Sequence, residues 1–239
     1  MTEAQTLRRA IAANHRAWFR RGAATRGGCV ERPGGVELAA EPPWGTIAFP
    51  GPGARSAARI DELLRRARVL GLDRLSCWSL DEDPALQGLL VARGFEVGWQ
   101  PHWMAIALDR PSDDDRRYEI VGFVPGPGDR QLPYTSALAD PARTHHLAVV
   151  TEGRTVGHVV VNAWRGLAGI YNMGVAENHR RLGIGRALTL AACRLGRRLG
   201  CSHAGLNATP EGELLYRTVG FESLGMGRTW WLHPGHCSD

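Results

Sequence analysis

The chain contains no lysine, and all 29 of its basic residues are arginine. Without a lysine amine the protein cannot form a Schiff base with a carbonyl substrate, and it lacks the Gly-Lys-Ser/Thr of a Walker nucleotide loop. The arginines exceed the 24 acidic residues and give a formal net charge of +5. Because they are dispersed along the chain and form no basic tail, we expect no nucleic-acid partner.

Cysteine is also scarce, with five residues scattered at positions 29, 77, 193, 201 and 237. Their number is odd and no two form a Cys-x-x-Cys pair, so the pattern predicts neither a disulfide framework nor a zinc site. His145, His146 and His203 do not have the spacing of metal ligands either. We therefore expect no bound metal and a cytoplasmic protein with free thiols.

Long apolar runs are missing as well. No stretch approaches the roughly 18 consecutive apolar residues that a membrane-spanning helix needs, and residues 1–9 lack the apolar core of a signal peptide. The hydrophobic fraction of 44% and the charged fraction of 22% are typical of a soluble globular protein. The sequence therefore predicts no membrane partner and one large domain or two small ones.

The most informative segment joins an apolar strand to a long helix. Residues 169–175 are mostly apolar and predict the strand, whereas residues 184–199 are rich in Ala, Leu and Arg and predict the helix. Gly200 is a typical helix stop. Since the N-terminus of a helix presents unpaired N–H groups and a partial positive charge, this junction favours binding of a phosphate group.

The residues of the junction strengthen that prediction. Gly183 and Gly185 let the backbone approach a ligand closely, and Arg180, Arg181 and Arg186 place positive charge beside it. The order Arg-x-x-Gly-x-Gly differs from the dinucleotide fingerprint, which needs a third glycine three residues after the second. An ordinary helix start with surface arginines is the alternative reading of this segment alone.

A second motif follows along the chain. Residues 201–207 predict a short buried strand, and a helix begins after Thr209, a favourable N-cap, with Pro210 at its first position. Gly220 ends that helix. The last turn and the residues after it read Leu-Tyr-x-x-x-Gly-Phe, in which the tyrosine is Tyr216.

These two motifs together resemble the GNAT N-acetyltransferase superfamily. The Arg180-x-x-Gly183-x-Gly185 loop is similar to the loop that binds the pyrophosphate of acyl-CoA, and the Leu-Tyr-x-x-x-Gly-Phe segment is similar to the closing segment of the domain. The resemblance covers about residues 118 to 235. It implies a mixed α/β sheet in which two neighbouring strands separate and the pantetheine arm of acetyl-CoA lies between them.

The resemblance also implies an activity and a set of site residues. The protein would use acetyl-CoA as co-substrate and transfer its acetyl group directly to a primary amine of a small molecule or an amino acid. Tyr216 would be the catalytic residue, donating a hydrogen bond and a proton to the departing thiolate, while the backbone near Val175 polarises the thioester carbonyl. The implied cofactor-binding residues are Met173, Gly174, Val175, Arg180, Arg181, Leu182, Gly183, Ile184, Gly185, Arg186, Asn207 and Thr209.

Two departures from the family pattern concern the pantetheine contact and the general base. Thr209 stands where many members have an asparagine that contacts the pantetheine arm, and Asn207 lies two residues earlier. The strand before the loop carries no carboxylate to act as a general base. The remaining candidates are His158 and a water held by Asn172 or Tyr171, whereas an amine that binds already deprotonated needs no base.

The first half of the chain resembles the second at a constant offset. Pro84 and Gly94 stand 126 residues before Pro210 and Gly220, and each glycine is followed by Phe-Glu. Such self-similarity indicates a duplication. The alternative is the chance similarity of two ordinary strand–helix–strand units.

The first half lacks the residues that would bind CoA. Leu90 stands in the place of Tyr216, and residues 49–56 lack the Arg-x-x-Gly-x-Gly order and include two prolines, which have no N–H to donate. We therefore expect two GNAT-like halves of unequal function. The predicted organisation is a degenerate GNAT-like domain (1–109), a linker (110–117) and a catalytic acetyltransferase domain (118–239).

Two other functions stay open at this point. A non-catalytic acyl-CoA-binding regulatory module would explain the missing base, although the presence of Tyr216 argues against it. A basic protein associated with nucleic acid would explain the charge, although the dispersed arginines do not favour it. The sequence leaves the acceptor amine and the oligomeric state undetermined, and a homodimer is one option.

Overall fold

The computed structural model describes residues 2–109, 117–123 and 140–233. Within them the chain forms five α-helices and thirteen strands. In chain order these are α1 (Glu3–Thr25), β1 (Cys29–Glu31), β2 (Leu38–Glu41), β3 (Trp44–Ala48), α2 (Ala57–Val69), β4 (Arg74–Ser79), α3 (Pro84–Val91), β5 (Glu96–Val97), β6 (His102–Ala107), β7 (Val121–Phe123), β8 (Thr144–Thr151), β9 (Arg154–Trp164), β10 (Leu167–Val175), α4 (Ile184–Arg198), β11 (His203–Ala208), α5 (Pro210–Val219), β12 (Glu222–Met226) and β13 (Arg228–Leu232).

These elements belong to two compact units, neither of which is continuous in sequence. The large unit comprises Met1–Asn14 and His102–Leu224, and the small unit comprises His15–Pro101 and Gly225–Asp239, apart from the residues outside the described ranges. The predicted linker, residues 110–117, lies outside the described ranges except for Arg117. No helix in the described part of the chain is both long and apolar enough to cross a membrane.

The large unit is built on a seven-stranded mixed sheet in the order β12-β6-β11-β10-β9-β8-β7. Helix α4 covers one face, where Ile184 and Leu188 pack directly over Gly157 of β9. Its apolar stripe is buried together with the Val-rich interior of β9, as expected for an amphipathic helix on a sheet. This arrangement confirms the predicted α/β fold with a mixed sheet.

The first turns of α1 cover part of the opposite face of the same sheet. Ile11 packs against Gly205 of β11, and the side chain of Asn14 packs against Gly169 of β10. Both side chains are almost completely buried. The N-terminal segment therefore contributes to the core of the large unit although more than 80 residues of the small unit follow it in sequence.

The small unit contains a six-stranded sheet in the order β1-β2-β3-β4-β13-β5. Strands β3 and β4 are parallel, and the other neighbours are antiparallel. Its core is formed by Leu38, Ile47, Leu63 and Trp230, with Leu90 of α3 fully buried beside them. Because Trp230 lies on β13, this C-terminal strand contributes to a core that is formed mostly by the first half of the chain.

Strands β6 and β13 are members of sheets that the sequence order does not suggest. Each follows its own half along the chain, yet β6 pairs with β11 in the large unit and β13 pairs with β4 in the small unit. Both strands are short and contain tryptophan and apolar residues. Because local pattern reports only that a strand is buried, it cannot specify which of two similar sheets the strand joins.

Candidate active site

A gap opens between β10 and β11 in the middle of the large unit's sheet. The two strands pair at three positions, Leu167–Gly169 with His203–Gly205, although β10 continues to Val175 and β11 to Ala208. Beyond that point β11 stays paired with β6 on its other side. We call the gap between residues 170–175 and 206–208 the open slot. Its facing backbone groups can receive an extended ligand in the way a sheet edge receives a strand.

A β-bulge on β10 lies beside the slot. Tyr171 pairs with Val160 and Gly174 pairs with His158, so Asn172 and Met173 together oppose a single residue of β9. Asn172 has a φ of 48°, in the left-handed region that asparagine tolerates better than most residues. Bulges of this kind redirect side chains and increase the local twist of a strand. This bulge lies in the part of β10 that is no longer paired with β11.

The hydroxyl of Tyr216 points at the bulge. It lies 3.8 Å from Sδ of Met173, whose sulfur is also 3.7 Å from the hydroxyl of Thr189. The tyrosine side chain is 8% exposed and its ring packs against Phe221. Burial raises the pKa of Tyr216 to about 12, so the phenol remains protonated near neutral pH and keeps its O–H available as a hydrogen-bond donor.

Helix α5, which carries Tyr216, has well-defined ends. The hydroxyl of Thr209 accepts a hydrogen bond from Gly212 N at 3.2 Å, and Gly220 closes the helix in a left-handed conformation. Thr209, one of the predicted pantetheine contacts, therefore also caps the helix, and its hydroxyl proton remains to be donated. Asn207 lies on the unpaired edge of β11 and is half-buried.

Residues 176–183, the Arg-Gly loop, connect β10 to α4. Arg181 and Gly183 both adopt positive φ angles, of 63° and 88°. Gly183 is the N-cap residue of α4, no side chain in the described residues caps this helix, and the first helical bond runs from Ala187 N to Gly183 O. The first-turn N–H groups of α4 are thus arranged as in other helix N-termini that bind anions.

Two side-chain bonds fix the Arg-Gly loop to the rest of the large unit. The hydroxyl of Tyr118 donates to the carbonyl of Leu182 at 2.6 Å, and Nε of Arg180 donates to the carbonyl of Val175 at 3.3 Å. The second bond links the loop to the last residue of the open slot. The loop and the slot therefore form one continuous surface.

Four arginines surround the start of α4. Arg180 and Arg181 are exposed and Arg186 is half-buried. The guanidinium of Arg117 lies so close to Gly183 that a Cβ there would be 2.9 Å from its terminal nitrogen. Arg117 was not among the predicted binding residues, because in sequence it belongs to the charged segment assigned as a linker. It adds positive charge where a diphosphate would bind.

The candidate bases have different surroundings. The hydroxyl of Tyr171 donates to Oδ1 of Asn14 at 2.7 Å, so it is already engaged in the core. Nδ2 of Asn172 is buried with no hydrogen-bond partner in the described part of the chain. The imidazole of His158 lies against Gly174 of β10. Of these three candidates, His158 combines a position beside the bulge with an ionisable group that no hydrogen bond in the described residues engages.

A polar cluster near Tyr216 is not apparent from the sequence. Nε2 of His102 lies 2.7 Å from the hydroxyl of Ser223, and its Nδ1 lies 3.0 Å from a carboxylate oxygen of Glu213. Arg217 donates to the same carboxylate at 2.7 Å, and Arg217 and His102 together lower the pKa of Glu213. The cluster ties β6, β12 and α5 together one turn before Tyr216.

The corresponding strands of the small unit leave no such gap. Strands β3 and β4 pair at every position from Trp44 with Arg74 to Ala48 with Trp78, and Phe49 N continues the ladder by donating to Trp78 O at 2.8 Å. The described residues in either unit contain no group of three or more His, Cys, Asp or Glu side chains that could hold a metal ion.

Comparison with solved structures shows the same fold in other proteins. A GCN5-related N-acetyltransferase from Kribbella flavida is similar over 95% of this chain and 96% of its own, with a TM-score of 0.70 and 16% identity. A tandem GNAT protein from the clavulanic acid biosynthesis pathway is similar over 82% of this chain and 77% of its own (TM-score 0.57, 16% identity). A GCN5-related N-acetyltransferase from Sphaerobacter thermophilus is similar over 87% and 76% (TM-score 0.56, 17% identity).

No curated protein sequence matches the chain. The model of the acetyltransferase (GNAT) family matches residues 102–221. This segment begins with β6 and ends just after α5, so it contains the open slot, the Arg-Gly loop and Tyr216. The chain belongs to the GNAT acetyltransferase family.

Proposed function

We propose that this protein is an N-acetyltransferase that moves the acetyl group of acetyl-CoA directly to a primary amine of a small molecule or an amino acid. Membership of the GNAT family indicates acyl transfer from an acyl-CoA. The observation that carries the finer proposal is the continuity of three features: an anion-binding helix start, an open slot and a buried tyrosine hydroxyl at the bulge.

The described residues suit each part of acetyl-CoA. The N–H groups at the start of α4, with Arg117, Arg180 and Arg181, would hold the diphosphate. The free edges of Met173 and Val175 would pair with the amides of the pantetheine arm as a strand would. This remote binding positions the thioester at the bulge.

Transfer then requires attack of the amine nitrogen on the thioester carbon and release of the CoA sulfur. Backbone N–H groups at the bulge would stabilise the negative charge that develops on the carbonyl oxygen. Tyr216 would donate a hydrogen bond to the departing sulfur. Because its pKa of about 12 lies above that of a thiol near ~8.5, Tyr216 stabilises the thiolate without losing its proton completely.

The small unit would be a degenerate GNAT-like copy that does not bind CoA in this way. Its strands β3 and β4 are paired to their ends, and Leu90 occupies the core position that corresponds to Tyr216. The protein as a whole would then be a tandem GNAT protein with one active unit. Free thiols at Cys29, Cys77, Cys193 and Cys201 in the described residues support a cytoplasmic location.

One observation favours a second candidate, a non-catalytic acyl-CoA-binding regulatory module. The slot residues 170–175 and 206–208 contain a single ionisable side chain, Tyr171, and its hydroxyl is bonded to Asn14. Such a module would bind acetyl-CoA as tightly but would acetylate no amine.

Release of free CoA thiol distinguishes the two. Purified protein is incubated with acetyl-CoA and, separately, with tryptamine, spermidine, glucosamine and alanine amide, and acetylated products are identified by mass spectrometry. The proposal predicts amine-dependent thiol release that falls at least about ten-fold in Tyr216→Phe. Binding of acetyl-CoA without product for any amine would support the regulatory module.

A further inference from the structure

Amine acetylation needs a group that accepts a proton. An ordinary primary amine has a pKa near ~10 and arrives mostly protonated, and its nitrogen must lose a proton when the C–N bond forms. Among the slot residues 170–175 and 206–208, the only ionisable side chain is that of Tyr171, whose hydroxyl is committed to Asn14. The proton acceptor must therefore come from a neighbouring element.

Strand β9 brings His158 to this point. It is the register partner of Gly174, the first residue of β10 after the bulge. A Cβ on Gly174 would lie 2.8 Å from Cε1 and 3.3 Å from Nε2 of the imidazole, so the ring occupies space that a side chain of β10 would otherwise fill. Because Gly174 has no side chain, the imidazole can lie directly over β10, the strand that borders the slot.

The imidazole lies on the sheet face opposite to α4. On β9, Gly157 faces Ile184 and Leu188 of α4, and His158, the next residue, therefore faces the other way. The diphosphate would bind at the Arg-Gly loop and the start of α4, on the face of the sheet that α4 covers. An amine approaching the bulge from the other face would meet His158.

The electrostatic surroundings keep His158 neutral. Burial lowers the pKa of His158 and is the single cause of its shift. Strand β8 contributes His146, diagonal to His158 on the same face, and β10 contributes Tyr171. Within the described ranges no hydrogen bond occupies a ring nitrogen of His158. A neutral imidazole with an available lone pair can accept a proton near neutral pH.

We propose that His158 is the general base of the acetyl transfer, an inference that rests on the function proposed above. The amine nitrogen forms its bond to the thioester carbon, and the C–S bond breaks with its electron pair leaving on sulfur, held by Tyr216. His158 takes one proton from the ammonium form, directly or through one water, which frees the lone pair that attacks the thioester. After passing that proton to solvent, it takes the second proton from the nitrogen as the C–N bond forms.

Steady-state kinetics of His158→Gln test this role, with acetyl-CoA and each amine that the wild type acetylates. Loss of a general base lowers kcat about 100-fold or more, whereas the dissociation constant for CoA, measured by calorimetry, stays within about two-fold because no binding contact is lost. The wild-type kcat falls as the pH is lowered through the pKa of His158, and this limb disappears in the variant.

Three further variants separate chemistry from folding. His158→Ala should regain activity with added imidazole, which a purely structural role would not allow. Gly174→Ala should displace the ring and lower kcat, since its Cβ would meet the imidazole. His203→Gln, at the start of β11 where this strand is still paired with β10, should behave as wild type.

The outcomes of the kinetic test identify which proposal fails. Wild-type kcat and an unchanged pH profile in His158→Gln, with amine acetylation intact, would exclude His158 as the base and leave the acetyltransferase function standing. No acetylation by the wild type would remove the function itself, and with it the reaction that His158 is proposed to serve.

Discussion

The hydroxyl of Tyr171 donates a 2.7 Å hydrogen bond to Oδ1 of Asn14, a residue 157 positions earlier in the chain. Nδ2 of the same asparagine donates to the carbonyls of Asn162 and Leu167 at 2.9 Å each, and Oδ1 also accepts from Nδ2 of Asn162. Asn14 is fully buried. All of its side-chain hydrogen-bonding capacity is therefore used to attach α1 to β9 and to β10, the strand that carries the bulge.

Replacing Asn14 should be costly for the large unit. Asn14→Leu leaves several buried donors and acceptors without partners, each worth about 1–3 kcal/mol, so we expect a loss of about 3 kcal/mol or more in the free energy of unfolding. Urea denaturation measures it, with the exposed Gln5→Leu on the same helix as control. Equal stability of the two variants would show that the network is not a major anchor.

Gly183 should matter for CoA binding beyond its effect on folding. Gly183→Ala places a Cβ at a φ of 88° and against Arg117, whereas Gly200→Ala introduces the same kind of strain at a φ of 76° in open space. Both should lose about 1 kcal/mol of stability. Only Gly183→Ala should weaken CoA binding, by about ten-fold (~1.4 kcal/mol) in calorimetry.

Parallel loss of affinity in both glycine variants would contradict the role assigned to the Arg-Gly loop. The comparison holds backbone strain constant, so any difference in affinity reports the loop and not global stability.

Tyr216 should act as a hydrogen-bond donor across the working pH range. Because its pKa is about 12, the hydroxyl keeps its proton from pH 6 to about pH 10, and kcat should show no alkaline decline due to Tyr216 in that range. Tyr216→Phe keeps the packing on Phe221 and should lower kcat about ten- to hundred-fold. An alkaline limb that disappears in Tyr216→Phe would show that the phenol ionises and that this account of Tyr216 is wrong.

His146 should make the protein sensitive to acid. It is buried, and desolvation lowers its pKa from 6.5 to about 4. Between these two values the unfolded state binds more protons than the folded state, so the free energy of unfolding falls as the pH falls from about 6.5 to 4 and is insensitive to this group above that window.

The size of this acid effect is about 1–3 kcal/mol. His146→Gln should lose less stability than the wild type between pH 7 and pH 4.5 in urea titrations. Identical pH slopes for His146→Gln and the wild type would mean that His146 does not contribute to acid sensitivity.

The placement of β6 and β13 can be tested through their tryptophans. Trp103 and Trp230 are both fully buried, and truncation of either to alanine should cost about 3–5 kcal/mol. Since Trp230 lies in the small unit, Trp230→Ala should increase hydrogen exchange in β4 and spare β9. Trp103→Ala should do the reverse and reduce the fraction of protein that binds CoA. Increased exchange of β9 in Trp230→Ala would contradict the strand assignment.

Much of the site follows from short-range sequence patterns. The start of α4 is specified by Gly183 and the arginines beside it, and Thr209 and Gly220 define the ends of the helix that carries Tyr216. Capping and turn preferences act over a few residues, so a single sequence contains them. The predicted family, its mixed α/β fold and the two helices at the site are confirmed.

The remaining features depend on contacts between distant positions. The pairing of Asn14 with Tyr171, the approach of Arg117 to Gly183 and the cluster around His102 join residues that no local pattern connects. The same is true of β6 and β13, because an apolar strand fits either of two similar sheets. Tertiary packing determines which residues and strands are partners, and the hydrophobic periodicity of the sequence does not specify that packing.

Calorimetric titration of acetyl-CoA into the purified protein tests the central claim most directly. The account predicts one micromolar site per chain, lost in the double variant Arg180→Ala/Gly183→Glu and retained in Arg198→Ala, at the far end of α4. Absence of binding by the folded wild type, or equal binding by the double variant, would contradict the assignment of the Arg-Gly loop and the open slot as the acetyl-CoA site.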